Sequence, residues 1–151
     1  MPDILGDLNS DVAFGLAYAH AEDDFLNIQR MYLTAKGRLS AVYGRSQIPA
    51  DYLNWLFRVN ERVEKYWEGQ YSDKAKSIAK GYFDGLHYFA LTHPEQLITN
   101  RADLLFPLDL KDSARFFAIL TPIFANFQEQ ISIIMEEDPY YAVSMGSRPA
   151  E

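Results

Sequence analysis

The sequence predicts a mainly α chain, with four or five helices and almost no convincing strand. Three observations carry that expectation. Apolar residues return at steps of three and four along most of the 151 positions, the spacing that gathers them on one side of a helix. Glycine, proline and Ser-Asp pairs interrupt these runs where helices would begin and stop. The longest uncharged apolar block, Phe116 to Phe127, is apolar on all sides when wound as a helix, a pattern normally enclosed all round.

The first segment follows the turn formers Gly6 and Asn9-Ser10, with Ser10 as its N-cap and Asp11 in its first turn. Residues 13–21 alternate small and large, which is a strand's period. Four alanines and a glycine fit strands poorly, so a helix is predicted, and its small residues would let another backbone approach closely. From Glu22 the helical spacing is plain in Phe25, Ile28, Tyr32 and Ala35. Glu22, Asp23 and Asp24 sit where acids complement a helix's positive end, and Lys36-Gly37 is a stop. A short helix follows from Leu39 to Tyr43, closed by Gly44.

Pro49 can open the next helix, with Tyr52, Leu56, Val59, Val63 and Tyr66 as its buried stripe and Gly69 as its end. Ser72 and Asp73 restart the chain, and Ala75, Ile78, Tyr82, Leu86 and Phe89 mark another stripe, broken by Thr92-His93-Pro94. Residues 95–108 read as loop. The last helix is predicted from about Lys111 to Glu137 on Leu110, Ala114, Phe117, Leu120, Phe124, Phe127, Ile131 and Ile134. Pro122 should kink or interrupt it, and Asp138-Pro139 ends it. Residues 139–151 read as a loose tail, so the expected organisation is one helical domain over 1–151 with no repeat or linker.

Composition narrows the function classes. With 48% hydrophobic and 23% charged residues the chain is not a disordered acidic tail, and no run of about 20 apolar residues would span a bilayer. Without cysteine there is no thiolate zinc site and no cysteine nucleophile. A formal charge of −7 leaves no broad cationic field for nucleic acid. Ten Tyr and ten Phe need a substantial core or a partner to cover them. The start, Met1 to Asp7, has neither the basic nor the apolar region of a secretory signal.

Candidate chemistry is thin. Asp84 and His87 lie three apart on one helix face, but a di-iron bundle needs such a pair twice, and helix-surface hydrogen bonding explains it with less. The acidic run after His20 is better read as a solvated or ion-paired helix start than as an acid–base centre, with Arg30 and Arg38 as candidate partners. No phosphate-binding glycine loop and no Gly-x-Ser-x-Gly elbow is present.

The run Asp11-Val12-Ala13-Phe14-Gly15-Leu16-Ala17-Tyr18-Ala19-His20-Ala21-Glu22-Asp23-Asp24-Phe25 resembles the family of penicillin and acyl-homoserine-lactone acylases. Ile28-Gln29-Arg30, Ala35 to Ser40, Gly81 to Phe89, His93-Pro94-Glu95, Leu105-Phe106-Pro107 and Thr121 to Phe127 continue the likeness in the family's order. The resemblance implies the helical α-chain region of an αββα N-terminal-nucleophile hydrolase. Such enzymes are made as one precursor that cuts itself into an α chain and a larger β chain. The β chain begins with the nucleophilic Ser, whose own amino group acts as base. This chain would then be one half of a heterodimer, holding no catalytic residue, and would be inactive alone. The complete enzyme would cleave an amide such as an N-acyl-homoserine lactone or a β-lactam side chain, with a periplasmic or secreted location.

The resemblance also places the acyl group beside the proline-containing segment. Phe124 and Phe127 are the expected pocket residues, with Leu120 or Ile123 behind them, weighed against plain core packing. No cofactor is implied, and Glu136 and Glu137 do not match the spacing of the calcium ligand that some members have. Pro2-Asp3-Ile4 resembles the family's Gly-Val-Pro-His-Ile segment, with the strand normally preceding it apparently missing. Ser147 lies in Gly146-Ser147-Arg148 and does not match the family's Ser-Asn cleavage bond. The alternative reading is a truncated helical interaction module without catalysis.

Overall fold

A computed structural model describes residues 3–98 and 102–137. Among these residues every regular element is helical, and none is a strand. The expectations placed on residues 139–151 and on Ser147 lie outside the described residues.

Helix α1 spans Asn9–Lys36. It opens one residue ahead of the expected cap. Asp11, not Ser10, does the capping, since its carboxylate accepts the Leu8 N–H at 3.2 Å. A carboxylate one turn in reaches back to a free amide as readily as a hydroxyl reaches forward. The helical reading of residues 13–21 holds, and Ala13, Ala17 and Ala21 are buried. The acids at 22–24 mark a true internal start: Asp24 leaves helical geometry (φ −158°, ψ 68°), and its Oδ1 accepts the Asn27 N–H at 3.0 Å. Gly37, in the left-handed region at φ 65°, ends α1 with its N–H on the Thr34 carbonyl, while the Arg38 N–H reaches Leu33. Arg30 and Arg38 go elsewhere than to the acids: Arg30 lies over the Tyr43 ring, and Arg38 donates to the Leu104 carbonyl at 3.2 Å.

Helix α2 is one turn, Ser40–Tyr43. The single helix expected after Pro49 is two, α3 (Ile48–Leu56) and α4 (Val59–Tyr66), separated at Arg58, which sits at φ 51°. The break resets the phase of the stripe. Leu56 and Tyr66 are exposed rather than buried, and Leu53 and Asn54 take the inside positions with Val59 and Val63.

Helix α5 (Asp73–Thr92) begins as expected, the Ser72 hydroxyl accepting the Ala75 N–H at 3.2 Å. Ser72→Ala should therefore lower stability by about 1 kcal/mol, read as a fall in urea midpoint at unchanged slope. Leu86 and Phe89 are buried as expected, but Ile78 is exposed, and Gly81, Phe83 and Gly85 are inside. The reason is the neighbour. Helix α1 lies directly on the glycines: a Cβ at Gly81 would fall on the Ser10 carbonyl, and one at Gly85 would stand 2.5 Å from the Phe14 carbonyl oxygen and 2.9 Å from Ala17. The small residues of 13–21 and the two glycines thus supply the close approach together. Around it Tyr18, Phe25 and Phe89 pack edge to face, with centroids 5.3 and 4.9 Å apart.

Between α5 and the next helix the chain makes two 3₁₀ turns, Pro94–Gln96 and Ala102–Leu104, and a cis Phe106–Pro107 bond. Side chains hold it in place of sheet pairing. Buried Gln29 donates to the Gln96 carbonyl at 3.0 Å and accepts the Ile98 N–H at 3.1 Å. Lys36 Nζ donates to the Leu105 carbonyl at 2.8 Å.

The expected last helix is also two, α6 (Leu110–Phe124) and α7 (Phe127–Glu137). Pro122 does not make the break. It stays inside α6, buried, while the chain turns at Asn126, which adopts φ 59° and donates to Glu129. Proline removes one N–H and crowds the carbonyl four residues back, whereas asparagine tolerates the left-handed turn that reverses a chain. The stripe is corrected as well. Ile119, Pro122 and Ile131 face the core, and Phe117, Phe124, Phe127 and Ile134 are exposed.

Candidate functional site

The corner of α6 and α7 is positioned from its N-terminal end. Asp109 and Asp112 form a reciprocal cap: Asp109 Oδ1 accepts the Asp112 N–H at 3.1 Å, and Asp112 Oδ2 accepts the Asp109 N–H at 2.9 Å. Asp112 is 1% exposed. A buried carboxylate is tolerable only when it is paired and hydrogen-bonded, and this one has Lys36 Nζ at 3.2 Å and Arg115 Nη1 at 2.8 Å. Arg115 continues outward, Nε to Asn60 Oδ1 and Nη2 to Glu64 Oε1, both at 2.9 Å. Lys111 also pairs with Glu64, and its hydrogen bond, with Arg115 behind it, holds that carboxyl below the usual range. Helices α1, α4 and α6 are thereby tied at one point.

From this anchor α6 runs out to an apolar end. Phe124 is 82% exposed, Phe117 61% and Phe127 44%. Phe117 and Phe124 are seven positions apart, two turns along one side of the helix, opposite buried Ile119 and Pro122. Phe127 opens α7 with its ring packed edge to face with Phe57, centroids 5.6 Å apart. Ile123 is at the edge of exposure and Leu120 is half-buried. The structure thus brings all four sequence-predicted pocket residues to one helix end. Phe117, read from the sequence only as an apolar position on the helical spacing, is exposed on the same side of α6 as Phe124. The apolar block is enclosed by its own chain on one side only.

A comparison with protein families matches residues 1–133 to the penicillin amidase family. The chain belongs to that family. Comparison with curated proteins gave no match. The match spans every segment that carried the resemblance in the sequence, from the run at Asp11 to Phe127.

The three histidines each contact other residues of this family member. His20 Nδ1 shares a hydrogen bond with the Tyr82 hydroxyl at 3.2 Å, and His93 Nδ1 lies 3.0 Å from the Thr92 hydroxyl, its ring stacked on Phe89. His87 Nε2 accepts the Leu108 N–H at 2.8 Å, while Asp84 pairs with Lys80 at 2.6 Å, so the Asp84-His87 pair is engaged by different partners. Among the described residues no group of three or more His, Asp or Glu is placed to hold a metal ion, and no helix is long and apolar enough to cross a membrane.

Proposed function

We propose that this chain is the α-chain part of an N-terminal-serine amidohydrolase of the penicillin amidase family. It supplies acyl-pocket wall and scaffold, while a β chain of the same precursor supplies the serine, its α-amino base and the groups that stabilise the oxyanion. The substrate is an acylated small-molecule amide, an N-acyl-homoserine lactone or a β-lactam with an acyl side chain, in the periplasm or outside the cell. The observation that carries this reading is the open apolar face at the α6–α7 corner. A family member with Phe117, Phe124 and Phe127 outside its own core has ring area that only another chain or a ligand can take from water.

Within that face Phe124 and Phe127 border the acyl group, with Leu120 and Ile123 behind them. Phe124, at 82% exposure, contributes little to the chain's own packing, so its removal separates a wall from a core residue. In the enzyme co-expressed with its β chain, Phe124→Ala should lower kcat/KM for apolar acyl groups by about tenfold to a hundredfold, the worth of one buried ring, at unchanged urea midpoint. A panel of acyl amides checks it. Equal activity on every acyl group would remove Phe124 from the pocket, and amide hydrolysis by the chain without a β chain would end the whole reading.

A further inference from the structure

The connection from residue 104 to α6 hangs on side chains of α1, of the turn that follows it and of α5. Arg38 Nη1 donates to the Leu104 carbonyl at 3.2 Å, Lys36 Nζ to the Leu105 carbonyl at 2.8 Å, and His87 Nε2 accepts the Leu108 N–H at 2.8 Å. Two of these three holds are made by cations that stay charged through neutral pH. The third needs a bare nitrogen lone pair on an imidazole. Leu108 is buried one residue before Asp109, the cap of α6, so the histidine holds the chain where that helix is launched. We propose that His87 and the Leu108 amide form a pH-sensitive latch, closed while the imidazole is neutral and released on its protonation, which frees the Leu108 amide at the start of α6 while Arg38 and Lys36 keep their holds on Leu104 and Leu105.

Chemistry at the latch is one-sided. An imidazolium has an N–H on both nitrogens and cannot accept from an amide, so protonation replaces an attraction by two donors facing each other. The charged groups around the ring come from three helices and from Asp103, in the 3₁₀ turn that lines the same cleft. Lys80 and Asp84 are on α5, Lys36 on α1 and Asp112 on α6, the two lysines opposing protonation and the two acids favouring it. They stand as pairs, Lys80 with Asp84 and Lys36 with Asp112, so their influences largely offset each other. The ring also lies edge to face with Phe106 at 5.6 Å and lines an apolar cleft of about 460 Å³ with Ala90, Leu91, Leu97, Asp103 and Pro107. Burial there pushes its pKa below the ordinary 6.5. The folded state therefore binds fewer protons at this site than the unfolded chain. The latch is complete above about pH 6.5 and is lost as pH falls through the lower folded value.

Amide exchange followed by NMR at about pH 7.5 and about pH 5, corrected for the intrinsic rate, tests it. The Leu108 amide should lose protection about tenfold at the lower pH, with the amides of α1 and α5 keeping theirs. His87→Gln, whose side-chain oxygen accepts at any pH, should abolish the difference. Should that variant fail to fold, the wild-type ring nitrogen signals serve instead: Nε2 must titrate together with the Leu108 amide shift. Equal protection at both pH values, or a uniform loss over the whole chain, would overturn the latch.

Discussion

Asp112→Ala should be the most damaging side-chain truncation in this chain, costing about 3–5 kcal/mol of stability. Three helices converge on that carboxylate. Removing it leaves Lys36 and Arg115, each 14% exposed at the side chain, as cations held away from water with their central partner gone. It also strips the Asp109 N–H of its acceptor. The loss is the penalty of orphaned charge rather than the net worth of the pairs. Two further variants separate these effects. Asp112→Asn keeps an acceptor for the cap but removes the charge, and should recover part of the loss. Lys36→Met placed on Asp112→Ala removes one orphaned cation, and the double variant should be less damaged than the sum of the singles. Glu64, half exposed on the outer side of the same network, should tolerate truncation with little effect. Urea midpoints of the wild type and these variants, the Lys36→Met single included, decide the matter. If Asp112→Ala is no worse than Glu64→Ala, the buried carboxylate is not the anchor of α6.

Gly81→Ala should cost about 3 kcal/mol, in a helix where alanine is ordinarily the better residue. Propensity favours the substitution by about 1 kcal/mol. The added methyl, however, meets the Ser10 carbonyl, its carbon and its Cα, all main-chain atoms of α1. A flexible side chain could swing aside, but a helix backbone must move as a body, so overpacking dominates. Gly69→Ala is the matched control, because a Cβ there meets nothing within 4 Å, and it should leave the melting temperature nearly unchanged. Gly81→Ala should lower it by roughly 6–12 °C for a chain of this size. An unaltered melting temperature would mean that α1 and α5 do not approach at this glycine.

Much of this was legible in the order of residues, and the failures share one cause. The segments 9–36, 40–43, 73–92 and 110–137 were all readable as helix because capping residues, stops and apolar spacing act within a few positions of themselves. Gly37 as a stop, Ser72 as a cap and the acids at 22–24 as an internal start are such local effects. The missed breaks at Arg58 and Asn126 are also local, but each rests on a single non-glycine residue in the left-handed region, for which composition carries only a weak signal. Phase is a different matter. In α6 both sides are apolar, so spacing shows that faces exist without showing which meets the core. Phe117 and Phe124 keep the helical spacing, yet Ile119 and Pro122 are the residues that take the buried side. For the candidate pocket residues the same ambiguity left wall and core evenly weighed.

By itself, then, the sequence determined the helical class, most helix boundaries, the kinship to penicillin amidases and the apolar block from which pocket residues were chosen. Only the tertiary structure decided which glycines another backbone touches, which carboxylate lies at the centre of the ion network and which side of α6 is left open. The first set depends on neighbours in the chain. The second depends on pairs such as Ser10 with Gly81, Lys36 with Asp112 and Asn60 with Arg115, brought together by tertiary packing across 55 or more positions. No local spacing encodes which such partners will meet.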